Sequence, residues 1–357
     1  MKNILKLLII LFIIPLTISA TEKRGKYTKN KVINKEFNVN KNATLNVKNK
    51  YGNIEVVTWN ENKIVINVSI TTTGNVEEKV QKRLEQINIE FSSNISNVSA
   101  KTIIERNTSS WRIWGNNNNV SMEINYLIKI PITNNVNLTN DYGAINLDKL
   151  EGTSTINCDY GSINIGELRN SENTINIDYT NNSFIDFIKD GKINADYSTL
   201  SVNRSGRTIL NADYSHISFG MLVSLDYNCD YGSLKIEDIG NIEGGSDYMH
   251  LTIGKLNGSG NFNIEYGSLN IKKISSEFKS LKVISSYSHL KFGIRNTNSF
   301  NFNATLSYTG FKYDKNLFNF TKQVKESAKK EYVGFYNTAN SGKTIFIKSN
   351  YGSVAFY

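Results

Sequence analysis

The chain has 357 residues, is 39% hydrophobic, contains two prolines and two cysteines, and carries a formal charge of +9. Its abundance of Asn, Ser, Thr, Ile and Tyr favours strands joined by polar turns. No stretch beyond the first 20 residues is apolar enough to span a bilayer as a helix, which excludes a helical membrane protein once that segment is removed.

Residues 1–20, "MKNILKLLIILFIIPLTISA", combine a basic start, an apolar run from Leu7 to Leu16 and a small-residue end at Ser19-Ala20. This reads as a secretory signal peptide, with an uncleaved anchor as the plainer alternative. Its removal takes Lys2 and Lys6 and leaves a charge of 9 − 2 = +7. No cysteine follows the apolar run, which argues against a lipid anchor.

Residues 21–135 keep no regular period and are expected to form a β-rich capping domain with one helix. "YGNIEVVTWNENKIVINVSI" (51–70) predicts a hairpin turning at Asn60–Asn62. Val76, Val80, Leu84 and Ile87 fall on one face of a predicted helix over 75–88, and strands follow near 98–106 and 120–130. Between those strands, Trp111, Arg112 and Trp114 flank a polar tip and are candidate binding residues.

From residue 136 to 357 one phrase recurs, as in "INCDYGSINI" (156–165), "NCDYGSLKI" (228–236) and "NIEYGSLNI" (263–271). Its tyrosines are Tyr142, Tyr160, Tyr179, Tyr197, Tyr214, Tyr231, Tyr248, Tyr266, Tyr287, Tyr308 and Tyr351, spaced by 17–21 residues until a last gap of 43. That gap suggests a unit that lost its phrase or absorbed an insertion. A fixed short period is the signature of stacked coils. Apolar residues recur four and two before the tyrosine and three and five after it, with Asn182 and Gly244 as exceptions. The parity shift places a corner at the Gly-Ser pair. The predicted fold is therefore all-β: a parallel β-solenoid of coils of about 17–21 residues behind the N-terminal cap, with Tyr, Ile and Phe in inward ladders.

Ahead of the tyrosines stand Asp141, Asp159, Asp178, Asp196, Asp213, Asp230, Asp247 and Glu265, pointing outward. Charges about 4.8 Å apart in water repel by about 0.9 kcal/mol, so the column needs relief. Asx-turn bonds within each acid's own corner would supply it; cations held between coils are the sharper alternative. Cys158 and Cys229 share an inward column about 19 Å apart, too far for a disulfide, which predicts two free buried thiols. His216, His250 and His289 alternate with Ser233 and Ser268, about 10 Å apart, and no metal site is expected of them. The lysine-rich stretch 322–332 is expected to be a solvated excursion.

The phrases "KNKYGNIEV", "TWNENKIVINVSI", the repeated "DYGSINI" and the closing "GFYNTANSGKTIFIKSNYGSVAF" resemble the secreted bacterial "putative adhesin" family, of auto-transporter-adhesin-like appearance. The resemblance implies a repetitive β-fold and export to the periplasm, outer-membrane surface or exterior, and it brings no catalytic residues. The expected protein is a non-enzymatic envelope scaffold or adhesin with no cofactor and no nucleic-acid partner, facing surface polysaccharide or another envelope protein. The competing reading is a β-helix enzyme acting on polysaccharide, which needs a catalytic cluster that breaks the repeat. An outer-membrane barrel needs longer strands with a lipid-facing band.

Overall fold

The computed structural model describes residues 25–105 and 120–357. The predicted signal segment and Trp111, Arg112 and Trp114 lie outside the described residues. The described residues are all-β apart from one helix, Glu77–Glu85.

Each tyrosine phrase is one unit. Its first strand runs into the tyrosine and its second leaves just after. Successive units pair in parallel: Ile156 opposes Leu138 on one side and Ile175 on the other, and Ile163 opposes Ile145. Most of the apolar positions predicted to face inward do so. Leu138, Ile156, Ile175, Ile193, Leu210 and Val283 are fully or almost fully buried, as are Ile145, Ile163, Leu200 and Leu269. Burying each such side chain contributes about 1.5–3 kcal/mol, so one unit alone has little to gain and the stack has much.

Two breaks in the pattern have local causes. Asn182 is an extra residue in left-handed conformation (φ 56°). The inward register resumes one place later, so Ser183 opposes Leu200 and Ile185 opposes Val202. Phe184, expected inward, is instead 39% exposed. Gly244 opposes Phe262, and a Cβ there would run into the ring of buried Tyr227. The glycine makes room for the largest side chain of its column.

Three expectations are corrected. First, the corner is the tyrosine itself: all twelve ridge tyrosines have φ between 48° and 62°. The glycine after it is needed for closeness, since a Cβ on Gly161 would collide with the Gly143 carbonyl of the preceding unit. Second, the tyrosine rings point outward, 39–64% exposed, because the left-handed turn swings the side chain off the inward face. Third, parallel pairing starts before residue 136. Thr44–Lys50 pairs with Asn135–Asp141, and Ile54–Val56 pairs with Ile145–Leu147, so Tyr51 heads the stack.

The two units on either side of residues 60–134 in the chain are therefore adjacent in space. The predicted hairpin at 51–70 does not form. Ser121–Pro131 lies between its two arms, parallel to Ile54–Trp59 and antiparallel to Lys63–Gly74. Further antiparallel pairing follows, Lys63–Gly74 with Tyr27–Asn38 and Ile87–Asn94 with Asn97–Ile104. The helix is shorter than predicted: it buries Val80 and Leu84, while Val76 is 37% exposed and Ile87 opens the next strand.

The other end holds a change of order. Thr344–Phe356, which carries Tyr351, pairs in parallel with Ser280–Ser286 and His289–Phe292 on one edge and with the Phe300–Lys312 strand on the other. The last unit in sequence is thus inserted ahead of the Tyr308 unit. The 43-residue gap reflects an absorbed insertion rather than a lost phrase, and the lysine-rich stretch within it is largely exposed but ordered as strands. Phe318–Lys325 and Lys329–Tyr336 form an antiparallel hairpin on the far edge of Phe300–Lys312. Its lysines mark the outermost strand, where charge discourages pairing with another sheet. Phe300, Phe302, Phe311, Phe318, Tyr336 and Phe356 pack together beneath it as an aromatic plug.

Candidate functional site: an aromatic and acidic ridge

The corner geometry repeats with the unit, so it draws a continuous line along the molecule. Twelve tyrosine rings stack in the spatial order 51, 142, 160, 179, 197, 214, 231, 248, 266, 287, 351, 308. Ring centroids are 4.7–5.2 Å apart and planes lie within 9° of parallel. The main-chain ladder continues through the corner: the Tyr142 amide donates to the Asp159 carbonyl (2.9 Å) and the Tyr197 amide to the Asp213 carbonyl (2.9 Å). Faces of the rings are taken by neighbours, so the ridge offers ring edges and hydroxyls to solvent.

Beside the rings the predicted acids do form one column. Asp141, Asp159, Asp178, Asp196, Asp213 and Asp230 are register partners, and Asp247 opposes Glu265. Relief comes from the next unit rather than from the acid's own corner. The Asp213 amide donates to Asp196 Oδ1 (3.1 Å), and the Asp247 amide donates to Asp230 Oδ1 (2.9 Å). At the head of the column Lys50 takes the acid position and its Nζ lies 2.6 Å from Asp141 Oδ2. Partial burial, with the carboxylates above and below, pushes Asp159, Asp178, Asp213 and Asp247 above the ordinary carboxylate range. Among the described residues no three His, Cys, Asp or Glu side chains converge as a metal-binding group.

On the other flank runs a hydroxyl and imidazole column. His216 Nδ1 lies 2.8 Å from Ser233 Oγ, His250 Nδ1 3.0 Å from Ser268 Oγ and His289 Nδ1 2.9 Å from Ser353 Oγ. Each histidine thus ties its own unit to the next. The two cysteines are buried and unbridged, as register predicted, and burial pushes both thiols up to about 12.

Sequence reasoning missed two parts of this surface. One is the Lys50–Tyr51 unit, whose signal, "KYGNIEV", stands apart from the later repeats. The other is an amide ladder on the same outward strand face, two residues before the acids. Asn176 Nδ2 donates to Asn157 Oδ1 (2.7 Å), Asn194 to Asn176 (2.6 Å) and Asn211 to Asn194 (2.9 Å). Beyond it lies a shallow groove of about 600 Å³ lined by Arg207, Ile209, Asp226, Glu243 and Lys282.

No protein-family model matches the chain, and no curated protein matches its sequence. Solved structures do align along most of its length. A protein of Clostridium sporogenes described as a "putative cell adhesion protein" is 10% identical over 92% of this chain and 99% of its own, with a TM-score of 0.19. A "putative adhesin" of Bacteroides fragilis is 10% identical over 92% and 97%, TM-score 0.23. A "putative lipid binding protein" of Parabacteroides distasonis is 9% identical over 91% and 96%, TM-score 0.27. At such scores the likeness carries no weight for function. Among the described residues no helix is long and apolar enough to cross a membrane.

Proposed function

We propose that the chain is a non-enzymatic, exported envelope or cell-surface protein: a parallel β-solenoid that presents its tyrosine and carboxylate ridge to surface polysaccharide or to another envelope protein. The observation that carries this reading is the unbroken stack of twelve part-exposed rings. A surface that repeats every 4.7–5.2 Å suits a partner that is itself a linear repeat. Supporting the non-enzymatic half is the sameness of the acids. General acid–base work needs two carboxyls in unlike environments, and a register column gives its members like ones.

Binding of the mature chain to a panel of acidic, neutral and amino-substituted polysaccharides, and to intact cells, tests this. A variant carrying Tyr160→Ser, Tyr197→Ser and Tyr231→Ser should lose at least about tenfold in affinity while keeping its fold, since aromatic contacts contribute about 0.5–1.5 kcal/mol each. Equal binding by the variant would discard the ridge as the binding face. Shortening of a polysaccharide by the protein would discard the non-enzymatic reading. Protease shaving of intact producing cells would separate surface from periplasm.

A further inference from the structure

Twelve of the nineteen tyrosines share the ridge, and their rings are stacked face to face in one file, whereas Tyr313 and Tyr332 meet only edge-on at 6.3 Å. Tyr126 and Tyr227 are 1% and 2% exposed, sealed inside the protein. The ridge rings are part-exposed and outward, and each interior one has a phenol on both sides at 4.7–5.2 Å. Register fixes the backbone on both sides of each corner, pairing Asp196 with Asp213 and Thr199 with His216, so the spacing of the rings between them is set by the ladder. We propose that the ridge is a site of oxidative cross-linking, at which a haem peroxidase using hydrogen peroxide joins tyrosines of adjacent units as dityrosine.

The step balances as follows. Each of two phenols gives up one electron and its hydroxyl proton and becomes a phenoxyl radical. A carbon–carbon bond forms between the ring carbons ortho to the two oxygens. The hydrogen on each of those carbons then moves to its oxygen, which restores both phenols. The pair has lost two electrons and two protons in all. Hydrogen peroxide takes up both and becomes two waters.

Two features favour coupling here over coupling between molecules. The second ring is already in place, so the bimolecular encounter is replaced by a small pivot of exposed side chains. The peroxidase needs only the outer ring edge, which is the part the stack leaves open. Each link closes a loop between successive units and removes freedom from the unfolded chain, as other covalent cross-links do. A Tyr351–Tyr308 or Tyr287–Tyr351 link would also fix the inserted strand Thr344–Phe356 to its neighbours.

The test treats dilute mature chain with peroxidase and hydrogen peroxide. Expected are dityrosine fluorescence, an intact mass lower by two hydrogens per link, migration as a monomer on a denaturing gel, and peptide pairs joining ladder neighbours such as Tyr197 and Tyr214. The thermal midpoint should rise by several degrees. A six-fold variant, Tyr142, Tyr179, Tyr214, Tyr248, Tyr287 and Tyr308 each to Phe, keeps a stack of rings but leaves no two ridge phenols adjacent; the edge-on Tyr313–Tyr332 pair, with Tyr332 buried, is unchanged in it. Its intramolecular dityrosine should fall at least about fivefold, with circular dichroism confirming the fold. Absence of dityrosine in the parent, links found only between molecules, or equal yield from the variant would each overturn the proposal. Each outcome is independent of whether the ridge binds polysaccharide.

Discussion

At the scale of the residue, the tyrosine of each unit sits where an L side chain is disfavoured. Left-handed backbone costs roughly 1–2 kcal/mol per residue. Against it stand one ring pair per unit, about 0.5–1.5 kcal/mol, and one corner hydrogen bond, about 0.5–1.5 kcal/mol. The two sides are comparable, so the ring is what tips the corner. Substitution separates them. Tyr214→Ala keeps the strain (φ 53°) and loses both stacks, whereas Tyr214→Gly loses the stacks and the strain. Chemical denaturation should therefore find Tyr214→Gly more stable than Tyr214→Ala by about 1 kcal/mol, the reverse of the usual strand order. The opposite ranking would mean that the corner is not strained. The neighbouring acids give a pH effect. Asp159, Asp178, Asp213 and Asp247 hold their protons more tightly folded than unfolded, through burial and then like charge. Stability must then rise as pH falls from 7 toward about 4. Asp186, Glu237 and Glu331, held low by hydrogen bonds and ion pairs, act in the other direction, and their contribution is lost as pH falls below that range. Thermal melts at pH 7 and pH 5 check this: the midpoint should be higher at pH 5, and Asp178→Asn should raise the pH 7 value and narrow the difference. A midpoint that falls steadily from pH 7 would contradict the account of the column.

At the scale of the element, Thr344–Phe356 is the piece on which the C-terminal end depends. Among the described residues the Phe300–Lys312 strand and its hairpin join Ser280–Phe292 by main-chain ladders only through it. Deleting 344–357 leaves two parallel edges open, and open edges recruit other chains. The deleted protein should elute as oligomers in size exclusion; a monomer with unchanged melting would show that the strand is dispensable. The inserted order also marks where the sequence stops being legible. Alternation of apolar residues foretold the inward columns, because burial of one strand face leaves a period of two at Ile156, Cys158, Ile163 and Ile165. It carried no information on which unit lies next to which, since Tyr287, Tyr308 and Tyr351 head interchangeable phrases. Ring direction was misread for a related reason. Periodicity counts residues, and the left-handed turn at the tyrosine rotates the chain without changing the count. The hairpin forecast at 51–70 failed because local alternation cannot register a strand, Ser121–Pro131, that arrives from some sixty residues away.

At the scale of the whole molecule, register turns a short phrase into a surface. Eleven ring steps of 4.7–5.2 Å make a ridge about 50 Å long, flanked by carboxylates on one side and by histidine and serine on the other. Both the proposed binding face and the proposed cross-linking depend on that line being straight and in order. Pulsed electron paramagnetic resonance tests it most directly, with nitroxides paired from position 216 to positions 289, 353 and 310 in turn. Units four, five and six steps away should give distances near 19, 24 and 29 Å, with 353 closer than 310 despite coming later in the chain. Distances unrelated to the number of steps, or position 310 closer than 353, would contradict the stacked order on which everything else is built.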